Sequence, residues 1–113
     1  MNIKSIQKPI AVWGTGLHGV KAYYYLKTNN IYMSCFVQNN SKITELCDIT
    51  VKDYSEIIDK KDYFYIIGTG LNAYHEIKKQ LIQEGMSEFK DFIYYEWMMK
   101  KIIFYMVIVI CLL

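Results

Sequence analysis

Six consecutive residues near the start of the chain have the types and spacing of a phosphate-binding turn: Gly14-Thr15-Gly16-Leu17-His18-Gly19. In this G-x-G-x-x-G pattern, Gly14 allows a tight turn, Gly16 leaves the backbone open to a pyrophosphate, and Gly19 lets a helix pack closely on a strand. The N–H groups that begin the helix then face the phosphate at the positive end of the helix dipole. The segment therefore predicts backbone binding of a nucleotide-type ligand.

The same short pattern occurs again later in the chain. The letters G-T-G-L stand at 14–17 and at 68–71, each time after an apolar stretch and before a helical pattern. In a doubly wound sheet the two strands that carry such turns lie side by side, and their ends border the crevice where ligands bind. We therefore predict that Gly68, Thr69 and Gly70 form the second wall of one cleft. The alternative is that both turns carry glycine only because strand-to-helix turns favour it.

Polar residues after the second predicted strand complete the expected site: Gln38, Asn39 and Asn40. NAD-binding domains usually carry an acidic residue there, which binds the ribose hydroxyl groups. An amide can also hydrogen-bond a ribose, but more weakly than a carboxylate. The chain has no arginine to bind a 2′-phosphate. NAD(P) is therefore one alternative among the nucleotide ligands.

Two histidines lie near the turns, His18 inside the first and His75 after the second. Such a histidine can donate a hydrogen bond to a phosphate or act as an acid or base near neutral pH. We favour a helix-start residue without a catalytic task, because no acidic residue stands near His18 in the sequence. The chain also lacks a serine nucleophile elbow, an HExxH motif and a lysine-bearing P-loop. No catalytic residues and no metal site are predicted.

Composition narrows the class of partner. The 113 residues suit one domain, and the net charge is only +2, with lysine supplying all 13 basic residues. Without arginine, bidentate contacts to phosphate or guanine are absent, so we predict no nucleic-acid partner. The three cysteines contain no C-x-x-C pair, and the N-terminus has no apolar signal segment. Both features indicate a cytoplasmic location.

The elements that position these residues alternate along the chain. Apolar runs predict strands at 10–13, 31–37 and 63–67, a weaker strand at 49–51 and a last one within 89–95. Helical patterns cover 17–28 and 71–84, and a short helix is predicted around Ile57 and Ile58. The apolar face of the 71–84 helix is predicted to consist of Tyr74, Ile77, Leu81 and Ile82. This alternation predicts an α/β fold, a Rossmann-like three-layer domain with a mainly parallel sheet of four to five strands. We assign residues 1–97 to this nucleotide-binding domain.

Residues 98–113 form a separate apolar tail. Lys100 and Lys101 are followed by twelve apolar residues, which as a helix would span about 18 Å, against the roughly 30 Å of a bilayer core. One interpretation is that the tail lies in a membrane interface, or belongs to a membrane segment of which the chain holds only a part. The other is that it packs on this domain or across a homodimer. The first interpretation would make the protein membrane-associated.

Over residues 9–97 the sequence resembles the Rossmann-like domains of bacterial surface-polysaccharide biosynthesis proteins. The resemblance is carried by I-A-V-W-G-T-G-L-H-G-V, F-V-Q-N-N and D-Y-F-Y-I-I-G-T-G. It is similar to the N-terminal domain of sugar N-acyltransferases, which implies a UDP-sugar bound by the first turn and by 38–40. The acidic residue usual after the second strand is missing. No hexapeptide-repeat domain follows, so acyl transfer itself is not implied.

Three functions follow from these observations. The first is a nucleotide- or nucleotide-sugar-binding accessory domain in bacterial surface-sugar biosynthesis. The second is an NAD(P)-dependent oxidoreductase or redox-sensing domain, for which the chain offers little room to bind a substrate. The third is a structural or interaction domain whose nucleotide site has decayed, as Gln38 in place of an acidic residue would suggest.

Overall fold

Short apolar stretches form the centre of one six-stranded sheet in the computed structural model, which describes residues 3–100 and residue 112. The order across the sheet is β3-β4-β2-β1-β5-β6, and every pair is parallel except β3 with β4. The strands are β1 Ile10–Trp13, β2 Cys35–Gln38, β3 Glu45–Leu46, β4 Ile49–Asp53, β5 Phe64–Ile67 and β6 Phe92–Tyr94.

The two central strands show why the apolar runs were readable from the sequence. All residues of β1 and β5 are buried. Parallel strands that are covered on both faces carry continuous rather than alternating apolar residues. β1 lies between β2 and β5, with Trp13 opposite both Val37 and Ile67. The sheet therefore ends at one level where the glycine turns begin.

Three helices occur in the described residues: α1 Leu17–Thr28, α2 Leu71–Gln83 and α3 Tyr95–Met99. The apolar face predicted for α2 is observed, with Tyr74, Ile77 and Leu81 buried, while the neighbouring Ile82 is half exposed. Just after α2, Gly85 has a φ of +85°, a left-handed conformation that ends helices.

The predicted Rossmann-like three-layer domain with a sheet of four to five strands is wrong. The sheet has six strands and is mixed, because residues 45–53 form an antiparallel hairpin of β3 and β4. Its two-residue turn places Cys47 and Asp48 at φ +54° and +60°. Such turns usually carry Asn-Gly or Asp-Gly, so Cys-Asp gave no recognisable turn signal.

The connection from β4 to β5 also differs from the prediction. Two 3₁₀ turns, Tyr54–Glu56 and Lys60–Asp62, replace the short helix expected around Ile57 and Ile58. The Asp53 side chain caps the first of these turns, since it accepts a hydrogen bond from the Ser55 N–H at 3.1 Å. Ile57 is buried but Ile58 is almost fully exposed, so the pair cannot form one apolar helix face. The described chain therefore has only three helices around its sheet.

The predicted tail falls mainly outside the described residues. α3 extends to Met99, and the side chain of Met98 in this helix is buried in the core. The roles predicted for 102–113, in a membrane interface or a homodimer, concern residues that, apart from residue 112, the structure does not describe. Within 3–100 and 112, no helix has the length and apolar character needed to cross a bilayer.

Candidate functional site

The two glycine turns lie side by side at one edge of the sheet. β1 and β5 are parallel neighbours with Trp13 opposite Ile67, so both chains leave the sheet at the same level. The strand pairing continues one residue further, because the Gly68 N–H donates to the Trp13 carbonyl at 2.8 Å. The Gly14 N–H likewise donates to the Val37 carbonyl on the other side, at 2.9 Å. The predicted juxtaposition of the two turns is therefore observed.

Three of the glycines pack directly against one another: Gly14, Gly19 and Gly68. Gly14 has a φ of +122°, and a Cβ added there would overlap the Gly68 carbonyl oxygen. A Cβ on Gly19 would overlap the Gly14 carbonyl, and one on Gly68 would come within 2.7 Å of the Gly19 Cα. These glycines let backbone touch backbone where β1, β5 and α1 meet. Packing inside the protein therefore accounts for glycine at these three positions.

Gly16 and Gly70 are in the opposite situation, because a Cβ on either would meet no atom within 4 Å. Gly16 is the N-cap of α1 and Gly70 is the N-cap of α2, and neither helix start has a side-chain cap. The first N–H groups of a helix have no partner within the helix. Two positive helix ends therefore adjoin open space at the same edge of the sheet, which suits an anion.

Gln38 is brought to the first turn by its position at the end of β2. The Thr15 hydroxyl group donates a hydrogen bond to the Gln38 side-chain oxygen Oε1. Asn39 turns towards α2 instead, where its Nδ2 donates to Oε1 of Gln80 at 3.0 Å. Asn40 is exposed, with a φ of +52°. Of the three polar residues predicted to complete the site, Gln38 is the one that the structure joins to the glycine turn.

Two consecutive tyrosines, Tyr94 and Tyr95, contact the two turns through their hydroxyl groups, and sequence reasoning did not place either in the site. The Tyr94 hydroxyl group donates to the Thr69 carbonyl at 2.9 Å, and the Tyr95 oxygen lies 2.5 Å from Nδ1 of His18. Tyr94 ends β6 and Tyr95 begins α3, so the edge strand positions both phenols. They are separated from the turns by 25 and 77 residues, a distance at which no local pattern can signal a contact.

Both phenols keep their protons at neutral pH. Burial raises the pKa of Tyr94, and the nearby Glu96 carboxylate adds to this effect. Burial and Glu96 raise the pKa of Tyr95 in the same way. A neutral phenol is a hydrogen-bond donor as well as an acceptor. The site therefore contains two fixed hydroxyl groups and no added negative charge from them.

Asp53 is the carboxylate at the end of the strand next to β2, opposite Gln38 in the pairing of β2 with β4. Its pKa is lowered, first by the Ser55 hydroxyl group and then by the N–H groups of Ser55 and Ser41. The Ser41 N–H donates to Asp53 at 2.9 Å. The carboxylate thus holds the loop that follows Gln38 in place, a role that the sequence did not indicate.

The remaining predicted residues take different positions. Leu17 lies in the first turn and is 68% exposed, and Thr69 lies in the second. The Thr69 hydroxyl group donates to the Gly70 carbonyl at 3.0 Å. Within the described ranges, no group of three or more His, Cys, Asp or Glu side chains is placed to hold a metal ion. The arrangement can bind an anion at the paired helix starts, with His18 as the imidazole beside them.

A cleft lies at the amino ends of β2 and β4, at the end of the sheet opposite the turns. Its volume is about 460 Å³, and its walls include Tyr23, Lys27, Tyr32 and Asp48. It adjoins neither glycine turn. We place the candidate site at the turns because the strand ends, the helix starts and the predicted residues meet there.

The N-terminal domain of the C2185-like family has a sequence model that matches residues 6–92. The chain belongs to this family. The match covers both glycine turns and Gln38 but ends before Tyr94 and Tyr95. The family description names no ligand and no reaction. No curated protein matched the sequence.

Proposed function

We propose that this domain binds a nucleotide or nucleotide-sugar at its paired glycine turns and serves as an accessory binding module in bacterial surface-sugar biosynthesis. One observation carries the binding part: two uncapped helix starts lie together, and Gly16 and Gly70 both leave open space in front of them. A diphosphate can approach the backbone at both turns. Helix starts bind phosphate through free N–H groups and the helix dipole.

The polarity of the site supports a phosphate group as the recognised part of the ligand. The chain has no arginine, so the anion would be held by backbone N–H groups and by neutral polar side chains. His18 lies two residues after Gly16 in the first turn of α1. The site therefore offers hydrogen-bond donors at the position where a phosphate would lie. The surface-sugar part of the proposal is supported by the resemblance of residues 9–97 to domains of bacterial surface-polysaccharide biosynthesis proteins.

The hydrogen bonds after β2 favour a nucleotide other than NAD. A ribose diol needs acceptors for its two hydroxyl protons, which an acidic residue provides. Here Gln38 Oε1 accepts from Thr15, and Asn39 Oδ1 accepts from Gln80 Nε2 at 3.4 Å. Both amide oxygens are therefore engaged within the protein. The amide N–H groups of Gln38 remain suited to ligand acceptors such as phosphate or carbonyl oxygens.

A ligand screen by thermal unfolding tests the proposal. A ligand that binds only the folded state must raise the unfolding temperature. We expect UDP and UDP-sugars to raise it more than NAD, NADP or coenzyme A. Stabilisation by NAD or NADP alone would favour the oxidoreductase or redox-sensing alternative. No response to any of these compounds would contradict nucleotide binding and leave the structural or interaction domain.

A substitution at Gly16 tests the position of the ligand. Because nothing lies within 4 Å of a Cβ at Gly16, we expect Gly16→Val to leave stability within about 1 kcal/mol of wild type. Its side chain would occupy the space in front of the helix start and weaken UDP binding by at least about tenfold, or 1.4 kcal/mol. Calorimetric titration measures the affinity.

The control is Thr28→Val, which places a valine at an exposed position at the other end of α1. This variant should bind UDP like the wild type. Unchanged binding by Gly16→Val, with the fold intact, would show that the phosphates do not cross the first turn.

A further inference from the structure

We propose that Tyr95 is a positioning residue of this site, whose hydroxyl group holds the His18 ring so that Nε2 presents an N–H group to the ligand phosphate. This inference rests on the proposed function. It assigns a role to a residue outside the glycine turns and outside the part of the chain matched by the family model. It also gives His18 a binding task in place of the passive one favoured from the sequence.

The geometry fixes one side of the imidazole. The Tyr95 oxygen lies 2.5 Å from His18 Nδ1, and the two rings meet edge to face with centroids 5.4 Å apart. Tyr95 is only 3% exposed, and it directly follows β6, which pairs with β5. The phenol is therefore anchored at the junction of β6 and α3 rather than on a loop. A rigid neighbour of this kind restricts the rotation of the histidine ring.

The position of the proton follows from the two acceptors near the phenol. Glu96 Oε1 lies 3.4 Å from the Tyr95 oxygen, much further than His18 Nδ1. A contact of 3.4 Å is long for an O–H donor, so we assign the phenol proton to Nδ1 at the 2.5 Å contact. A neutral imidazole that accepts at Nδ1 carries its own proton on Nε2. A protonated imidazole carries protons on both nitrogens, so Nε2 is an N–H donor in either form.

The remaining nitrogen is placed to meet a ligand. Among residues 3–100, no protein partner is found for Nε2 of His18. Side chains in the first turn of a helix lean back towards its N-terminus, which here is the open Gly16. A phosphate on the helix start would thus lie near the free ring nitrogen. The first turn then contributes one side-chain donor in addition to its backbone N–H groups.

Two substitutions of His18 separate the two ring nitrogens. Glutamine can place an amide N–H near the position of Nε2, whereas the shorter asparagine reaches only the position of Nδ1. With UDP as the probe, we expect His18→Asn to weaken binding by about tenfold, the loss of one hydrogen bond to a charged group. His18→Gln should weaken it by less than about threefold. Equal losses in the two variants would overturn the role of Nε2.

Tyr95→Phe tests the positioning itself. In the wild-type background we expect it to weaken UDP binding by about threefold to tenfold, because the ring of His18 is then free to turn. In the His18→Gln background it should have no further effect, since the residue it positions is gone. The same loss in both backgrounds would show that Tyr95 supports the fold rather than the ring. Unfolding measurements check that each variant is folded at the temperature of titration.

A ligand-free measurement distinguishes failure of this inference from failure of the proposed function. The ¹⁵N chemical shifts of His18 report which ring nitrogen carries the proton. We expect the Nε2–H form in the wild-type protein and a mixture of forms in Tyr95→Phe. A proton on Nδ1 alone would overturn the inference even if UDP binds. If none of the compounds in the ligand screen binds, the proposed function fails and the phosphate contact with it, whatever the shifts show.

Discussion

The first and second glycine turns share the letters G-T-G-L but differ in what surrounds them. The first turn follows β1, a central strand with β2 on one side and β5 on the other. The second turn follows β5, which has the edge strand β6 as its outer neighbour. The sequences diverge after each leucine, and two residues further on the first segment has Gly19 where the second has Ala73. Gly19 is buried and Ala73 is exposed.

This difference separates two uses of glycine that look identical in the sequence. Gly14 and Gly19 bring α1 into backbone contact with its own turn and with Gly68. α2 begins with its third residue facing solvent, so an alanine is tolerated there. Gly16 and Gly70 make no such close backbone contact, since a Cβ added at either would meet no atom within 4 Å. A ligand is the explanation that we propose for those two.

The largest effect should come from exchanging the diverging residues. In Gly19→Ala the new methyl group would overlap the Gly14 carbonyl, so the backbone must move. We expect a loss of about 3 kcal/mol or more in the free energy of unfolding, or failure to fold. The reverse exchange at the second turn, Ala73→Gly, should cost only about 1 kcal/mol, because it removes helix propensity at an exposed position. Denaturant unfolding measures both, and similar values would contradict the distinction.

An intermediate effect is expected at the amino end of β6, the strand that pairs with β5. Asp91, just before β6, accepts hydrogen bonds from the Ser87 N–H at 2.8 Å and from Lys8 at 3.2 Å. Burial opposes ionisation of Asp91, but these two partners outweigh it and leave its pKa below the usual value. The folded protein therefore binds this proton less readily than the unfolded chain does.

Stability contributed by Asp91 is accordingly present above about pH 4 and is lost as the pH falls through the lowered pKa. We expect Asp91→Asn to cost about 1 to 2 kcal/mol at pH 7 and to flatten the acid side of the stability profile. Unfolding curves between pH 2 and pH 7 provide the measurement over that range. An acid side equally steep in the variant would assign the pH dependence to other carboxylates.

The smallest effect should follow from Tyr94→Phe. This change removes the hydrogen bond from the phenol to the Thr69 carbonyl and keeps the ring stacked on Tyr74, 4.5 Å away. We expect a loss of about 0.5 to 1 kcal/mol in the free energy of unfolding. Hydrogen exchange should quicken at the second turn and stay unchanged at the first. Faster exchange at both turns would show that they move as one unit.

Much of the local structure was readable because its causes are local. Continuous apolar residues predicted β1 and β5, and helical spacing predicted the apolar face of α2, although its member Ile82 is half exposed. Other predictions were wrong where neighbouring residues gave no signal. The strand predicted at 31–37 begins only at Cys35, and the hairpin at Cys47 and Asp48 was missed. The hairpin made the sheet mixed and overturned the predicted fold class.

The sequence by itself determined where the glycine turns stand, which apolar stretches enter the sheet, and that no arginine is present to hold an anion. Only the tertiary structure decided which glycines are packed and which are open, because that depends on the pairing of β1 with β5. It also joined Thr15 to Gln38 and His18 to Tyr95 across 23 and 77 residues. Sequence patterns report interactions over a few residues. Contacts between distant segments depend on the order and register of the strands, which place the ends of β1, β2 and β6 together.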